Sequence, residues 1–119
     1  HVHKTGALIR VAILLGAHCG RPLPAAEWER LDHFAKRVGL LFQVVDDLLD
    51  AEASTATLGK TAGKDAAQGK ATYVSVMGLG QARELAEALR AEARAAIDAF
   101  GERGQRLHEL AHFIVTRKF

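Results

Sequence analysis

The sequence has 119 residues, enough for one domain and too few for two independent cores. Apolar residues make up 49% and charged residues 25%, with only 2 prolines, which excludes a disordered tail or a Pro-rich stalk. A net charge of +2, with acids and bases mixed along the chain, gives nucleic acid no footing, and 22 alanines beside 6% aromatic residues favour closely packed helices over a β-sandwich.

The expected class is therefore all-α. Leu8, Ile9, Val11, Ala12, Leu14 and Leu15 recur at helical spacing, and Gly20, Pro22 and Pro24 end the run, so a first helix is predicted over Thr5 to His18. Its longest apolar stretch, Val11 to Ala17, is far short of the roughly 20 residues of a membrane span, and His18 before Cys19 is the wrong residue for a lipoprotein cleavage site. From Pro24, the series Trp28, Leu31, Phe34, Ala35, Val38, Leu41, Phe42, Val45, Leu48 and Leu49 predicts one helix of about 26 residues. Between Ala51 and Lys70 the periodicity disappears among Ser54, Thr55, Thr57, Gly59, Gly63 and Gly69, which predicts a loop of about 20 residues, long enough to suggest a functional role.

A short helix over Ala71 to Met77 follows, stopped by Gly78 and Gly80, and then an amphipathic helix over Gln81 to Phe100. Its predicted buried stripe is Leu85, Leu89, Ala93, Ala96, Ile97 and Phe100, with surface pairs Arg83 to Glu87 and Arg94 to Asp98 on the other side. A last helix over Gln105 to Thr116 is predicted to bury Leu107, Leu110, Ala111 and Ile114. His108 and His112 share one of its faces, but no third metal ligand joins them there. One cysteine, Cys19, cannot form an internal disulfide, which makes a reducing compartment, the cytoplasm, the expectation. A first residue of His1 leading straight into a helical pattern reads as part of a longer protein.

Chemistry concentrates between Gln43 and Lys70. Gln43, Asp46, Asp47 and Asp50 stand at i, i+3, i+4 and i+7, one stripe of a helix whose other positions are Leu40, Leu41, Phe42, Val44, Val45, Leu48 and Leu49. A helix apolar on nearly every side is buried, so the carboxylates are expected to line a cavity or cleft. Two carboxylates about 5 Å apart repel by roughly 3 kcal/mol at an effective dielectric of 20, which calls for a cation. Hard oxygen donors on a helix cannot wrap an ion fully, and Mg²⁺ holding a phosphate suits such an incomplete shell. An ordinary acidic patch at a helix C-terminus is the plain alternative, and the helix dipole disfavours it. Lys60, Lys64 and Lys70, interleaved with glycines and without aromatic residues before Tyr73, suit a discrete phosphate ester better than nucleic acid. Lys4 and Thr5, where the first helix begins, form a further, weaker anion signal.

Three stretches of the sequence carry a resemblance: His3-Lys4-Thr5-Gly6-Ala7-Leu8; Phe42-Gln43-Val44-Val45-Asp46-Asp47-Leu48-Leu49-Asp50; and Thr57-Leu58-Gly59-Lys60 with Gly63-Lys64-Asp65 and Gly69-Lys70-Ala71-Thr72-Tyr73. In order and spacing they resemble the C-terminal part of the trans-isoprenyl diphosphate synthases, nearest to the bacterial farnesyl type. The resemblance implies an all-α, isoprenoid-synthase-like helical bundle that condenses isopentenyl diphosphate with an allylic diphosphate, using Mg²⁺. It gives Lys4 and Lys60 to the allylic diphosphate, Thr5 and Gln43 to stabilisation of the carbocation, and Asp46, Asp47 and Asp50 to the metal, with Asp46 as the direct ligand. Val74 stands where the family usually has proline, a departure that touches no implied ligand.

The first Asp-rich motif and the basic residues that bind isopentenyl diphosphate lie earlier in such proteins and are absent from these 119 residues. The chain resembles about the last two-fifths of such an enzyme and is expected to be inactive alone. It is also expected to associate, as a homodimer, over apolar sides of the Leu40 to Leu49 stretch left without neighbours, or else to rearrange its helices relative to the longer protein. A non-catalytic helical module that pairs with a partner is the competing reading.

Overall fold

The computed structural model describes residues 2–56 and 71–118, the side chains of residues 2, 3, 55 and 56 excepted. Its helices are α1 (Val2–His18), α2 (Ala25–Ala56), α3 (Tyr73–Met77), α4 (Leu79–Asp98) and α5 (Gln105–Thr116), with a 3₁₀ turn over Gly101–Gly104. No strand occurs among the described residues, so the all-α expectation holds.

α1 stops at the Gly20 to Pro24 punctuation, and the Pro24 carbonyl accepts the Glu27 and Trp28 amides, both at 3.0 Å, to open α2. α2 is 32 residues long rather than about 26. Ala51, Glu52 and Ala53 are good helix formers and carry it on to Ala56, so the predicted loop does not begin at Ala51. The remainder of the stretch predicted as a loop, with Lys60, Lys64 and Lys70, lies outside the described residues.

α2 is the central element. α1 runs antiparallel to it, as the His18 to Trp28 ring contact at 4.7 Å, the Arg10 to Asp32 ion pair at 2.6 Å and the Gly6 to Gly39 approach show in succession. α4 is antiparallel to α2 as well, with Arg83 paired to Glu52 at 3.2 Å and Arg37 to Glu92 at 3.6 Å. α5 returns parallel to α2, with Arg103 on Glu27 at 2.7 Å and the Arg117 guanidinium donating to the Phe42 carbonyl at 3.2 Å. Phe34, Val38, Leu41 and Val44 of α2 are fully buried against Ala93 and Ile97 of α4.

The buried face of α4 is turned from the predicted one. Ala82 and Ala86 join Leu89, Ala93, Ala96 and Ile97 inside, while Leu85 and Phe100 are half-buried. Small residues let α4 approach the large side chains of α2 closely, which outweighs burying one more leucine. The surface charges follow: Arg83 reaches across to Glu52 and Glu87 pairs with Arg90, while Asp98 meets His108 at 3.2 Å. In α5, Ala111 and Ile114 are buried, but Leu107 is half-buried and Leu110 exposed.

α3 begins at Tyr73, not Ala71, because Thr72 caps it: its hydroxyl accepts the Ser75 amide at 3.0 Å and the Ser75 hydroxyl accepts the Thr72 amide at 2.8 Å. Gly78 then turns the chain at φ +86° and ψ 160°, a region essentially closed to residues with a Cβ. Among the described residues, uncovered apolar side chains include a row on α1, Leu8 (69% exposed), Val11 and Leu15, together with Val76 and Phe113, whereas Leu41, Val44, Val45 and Leu48 of α2 are buried. No helix among the described residues is long and apolar enough to cross a membrane.

Candidate active site

Leu41, Val44, Val45 and Leu48 pull the middle of α2 into the core, and the polar residues between them go partly with it. Gln43 and Asp47 are buried, at 6% and 7% exposure, whereas Asp46 is half-buried and Asp50 exposed. The stripe read from spacing therefore runs from core to surface instead of facing one cavity. It is also not at a helix C-terminus, since α2 continues to Ala56, so the helix dipole exerts little force on these acids.

Asp47 is held at both oxygens. Its Oδ1 accepts from Gln43 Nε2 at 3.0 Å and its Oδ2 accepts the Tyr73 amide at 2.9 Å. The second bond spans 26 residues and fixes the first turn of α3 to α2. A buried carboxylate without such partners would cost several kcal/mol, so the two bonds are what make the position tenable. Burial pushes the Tyr73 hydroxyl pKa up, and the negative charge of Asp47 pushes it in the same direction.

Thr5 is half-buried and Lys4 exposed in the first turns of α1. The antiparallel register, set by Gly6 against Gly39, brings them alongside the turn of α2 that leads to Gln43. A Cβ on Gly39 would stand 3.0 Å from Gly6 Cα and 3.1 Å from its carbonyl oxygen, so glycine here is what lets α1 come this near. Farther along, Asp32 bridges Arg10 at 2.6 Å and Lys36 at 3.3 Å and keeps the register. The Arg10 hydrogen bond holds the Asp32 carboxyl below the usual carboxylate range against the opposing effect of burial.

Beside Gln43, the ring of Phe42 carries the Arg117 guanidinium at 4.1 Å from its centroid. Arg117 also bonds the Phe42 and Ile114 carbonyls, at 3.2 and 3.3 Å, so the end of α5 is anchored next to the polar stripe. Spacing held no signal for Arg117, Tyr73 or the Arg83 to Glu52 pair, because each partnership joins residues more than 20 positions apart. A cleft of about 670 Å³ between α2, α4 and the end of α5 is lined by Leu48, Leu49, Glu52, Arg83 and Arg117. None of Gln43, Asp46, Asp47 or Asp50 lines it, so the cleft and the acidic stripe are separate features.

Among the described residues no group of three or more His, Cys, Asp or Glu side chains could hold a metal ion. Asp46 and Asp50, one turn apart, offer hard oxygen donors of the kind Mg²⁺ takes while keeping water and phosphate oxygens in its shell. They fit such an ion as a partial donor set, and Asp47 is already occupied on both oxygens. Lys4 and Thr5 stand near Gln43 by register, and Lys60 cannot be placed because it lies outside the described residues.

The family model for polyprenyl synthetase matches residues 1–102. Geranylgeranyl pyrophosphate synthase 11, chloroplastic, of Arabidopsis thaliana is 48% identical over 118 residues, covering 98% of this chain and 33% of its own length. A protein assigned as a farnesyl diphosphate synthase in Sinorhizobium fredii is 49% identical over 113 residues, 92% of this chain and 34% of that one. A crystal structure assigned as a farnesyl-diphosphate synthase from a Marinomonas species superposes with a TM-score of 0.77 at 36% identity, over 97% of this chain and 37% of that chain. The chain thus spans about a third of the length of the proteins it matches.

Proposed function

Because this chain belongs to the polyprenyl synthetase family, we propose that it supplies the second Asp-rich part of a prenyltransferase that joins isopentenyl diphosphate to an allylic diphosphate. Matches of equal strength to proteins named for farnesyl and for geranylgeranyl products support a short-chain product of that range, farnesyl diphosphate being the reading from the sequence motifs. The observation that carries the proposal is the Gln43 to Asp50 stripe on the most buried helix, with polar atoms held in an apolar surround beside the Lys4 and Thr5 turn of α1.

In this reading Lys4 and Lys60 bind the allylic diphosphate as point charges, and Asp46, with Asp50 acting through water, holds Mg²⁺. The ion, when bound, neutralises charge developing on the departing pyrophosphate. The Gln43 amide and the Thr5 hydroxyl turn oxygen lone pairs toward the allylic carbon as positive charge develops there, and α2 keeps water away from it. Neutral dipoles suit this task, since a carboxylate at the same place would capture the cation. A homodimer belongs to the same proposal, and the exposed row Leu8, Val11 and Leu15 supports association. The 119 residues alone are proposed to be inactive, because groups that act as a unit lose activity far faster than additively when part of the unit is missing.

The test is the contrast between two aspartates in a protein of the relatives' full length. Asp50→Ala is expected to lower turnover on the order of 10–100-fold, as for residues behind a metal ligand, and Asp46→Ala by far more. Equal and negligible losses for both would remove the metal site from this stripe.

A further inference from the structure

The geometry points to Asp47 as a positioning residue: we propose that its carboxylate fixes which end of the Gln43 amide faces the reacting centre, while locking α3 in place through Tyr73. The inference rests on the role proposed above for Gln43, although the hydrogen-bond logic holds without it.

An ionised carboxylate only accepts hydrogen bonds. The atom of Gln43 that meets Asp47 Oδ1 at 3.0 Å must therefore be the NH₂ group, and the amide oxygen is left to point away from Asp47. At most positions an amide can turn over with little loss, because most surroundings offer both donors and acceptors. Here turning over would set oxygen against oxygen in a buried place, at the cost of the Gln43 to Asp47 hydrogen bond. The opposite carboxylate oxygen is held by the Tyr73 amide at 2.9 Å, a backbone donor with no freedom to turn over. Asp47 is clamped from one side and so clamps Gln43 on the other.

What this supplies is an oxygen lone pair of defined direction from a neutral side chain. A cation developing nearby is stabilised by the negative end of the Gln43 carbonyl dipole and would be destabilised by its NH₂ end. The same clamp couples the site to the next described helix, because Tyr73 is the first residue of α3. Asp47 therefore acts through Gln43 and Tyr73, and it need not touch Mg²⁺ or diphosphate to matter.

Asp47→Asn separates positioning from ligation. The one oxygen of asparagine must face the fixed Tyr73 donor, so its NH₂ faces Gln43, and Gln43 has to turn over to offer oxygen. In the unmodified chain, ¹⁵N-resolved exchange of the Gln43 side-chain NH₂ protons and of the Tyr73 amide is expected to be slow for both. In Asp47→Asn the Gln43 protons should exchange at least tenfold faster, while Tyr73 stays protected. In a full-length protein the same change should lower kcat on the order of 10–100-fold with KM for the allylic diphosphate and the Mg²⁺ dependence within about twofold.

Fast exchange of the Gln43 protons in the unmodified chain would overturn the proposal without any variant, as would unchanged exchange in Asp47→Asn. A Mg²⁺ requirement raised tenfold or more in Asp47→Asn would make Asp47 a metal ligand instead. Should the exchange pattern appear as expected while the full-length protein fails to turn over isoprenyl diphosphates, the clamp stands and the proposed reaction falls.

Discussion

Replacing Gly39 and Gly6 by alanine in turn should give opposite results, though the two glycines face each other. A Cβ on Gly39 would stand 3.0 Å from Gly6 Cα and 3.1 Å from Gly6 O, against 3.4 Å at the near edge of ordinary contact, so α1 would have to retreat by about 0.4 Å. Both obstructing atoms are backbone of a helix and cannot rotate aside. A Cβ on Gly6 would meet Gly39 C at 3.9 Å and Gly39 O at 4.0 Å, which is ordinary contact. Each substitution gains up to about 1 kcal/mol of helix propensity, and only Gly39→Ala also incurs overpacking, about 1–3 kcal/mol. Gly6→Ala should therefore stabilise by up to about 1 kcal/mol and Gly39→Ala should destabilise by about 1 kcal/mol. At a urea slope of about 1–3 kcal/mol/M, the gap of ~2 kcal/mol separates the two midpoints by roughly 0.7–2 M, readable by circular dichroism at matched concentration. A midpoint for Gly39→Ala at or above that for Gly6→Ala would show that the α1 to α2 approach is looser than described, and the placement of Lys4 and Thr5 beside Gln43 would lose its support.

The Asp32 carboxyl is held below its ordinary pKa, so its contribution is present above the unfolded value near 4 and is lost as pH falls through the lower folded value. Asp32→Asn should thus cost about 0.5–1 kcal/mol at neutral pH and nothing below that window, and a pH-independent difference between the two proteins' urea midpoints would contradict the Arg10 clasp. Gly78→Ala, at φ +86° and ψ 160°, should cost about 1–3 kcal/mol through backbone strain, with no Cβ contact within 4 Å to blame, and a loss below ~0.5 kcal/mol in thermal unfolding would deny that strain.

The helices were legible because their signals are local. Gly20, Pro22 and Pro24 stop α1, apolar spacing carries α2, and α5 occupies the residues that its pattern predicts. What was misread turned on partners distant in sequence. Leu85 and Phe100 looked as apolar as any buried residue, yet Ala82 and Ala86 take the inner positions because α2 presents bulk opposite them. Arg83 and Glu87 stand at ideal helical spacing for each other, but Glu52 and Arg90 take them instead. The end of α2 was set too early because Ser54 and Thr55 read as a loop, whereas Ala51, Glu52 and Ala53 sustain the helix through them.

The acidic stripe shows the same limit in its chemistry. Spacing alone makes Asp46, Asp47 and Asp50 equivalent, three acids on one side of a helix. Burial separates them, because the helix drawn into the core by Leu41, Val44, Val45 and Leu48 takes Gln43 and Asp47 in with the leucines and valines. A polar group so buried is tolerable only if paired, and the nearest available partner is another residue of the same face, four positions away. Gln43 and Asp47 satisfy each other in this way, and the Tyr73 amide takes the carboxylate oxygen that remains. Asp46, half-buried, and Asp50, at the surface, keep the accessibility that an ion and a phosphate require. In the proposed reading, the acid bound by the core positions its neighbours and the acids at its margin meet the ligand, a division that rests on the unequal burial of Asp47, Asp46 and Asp50.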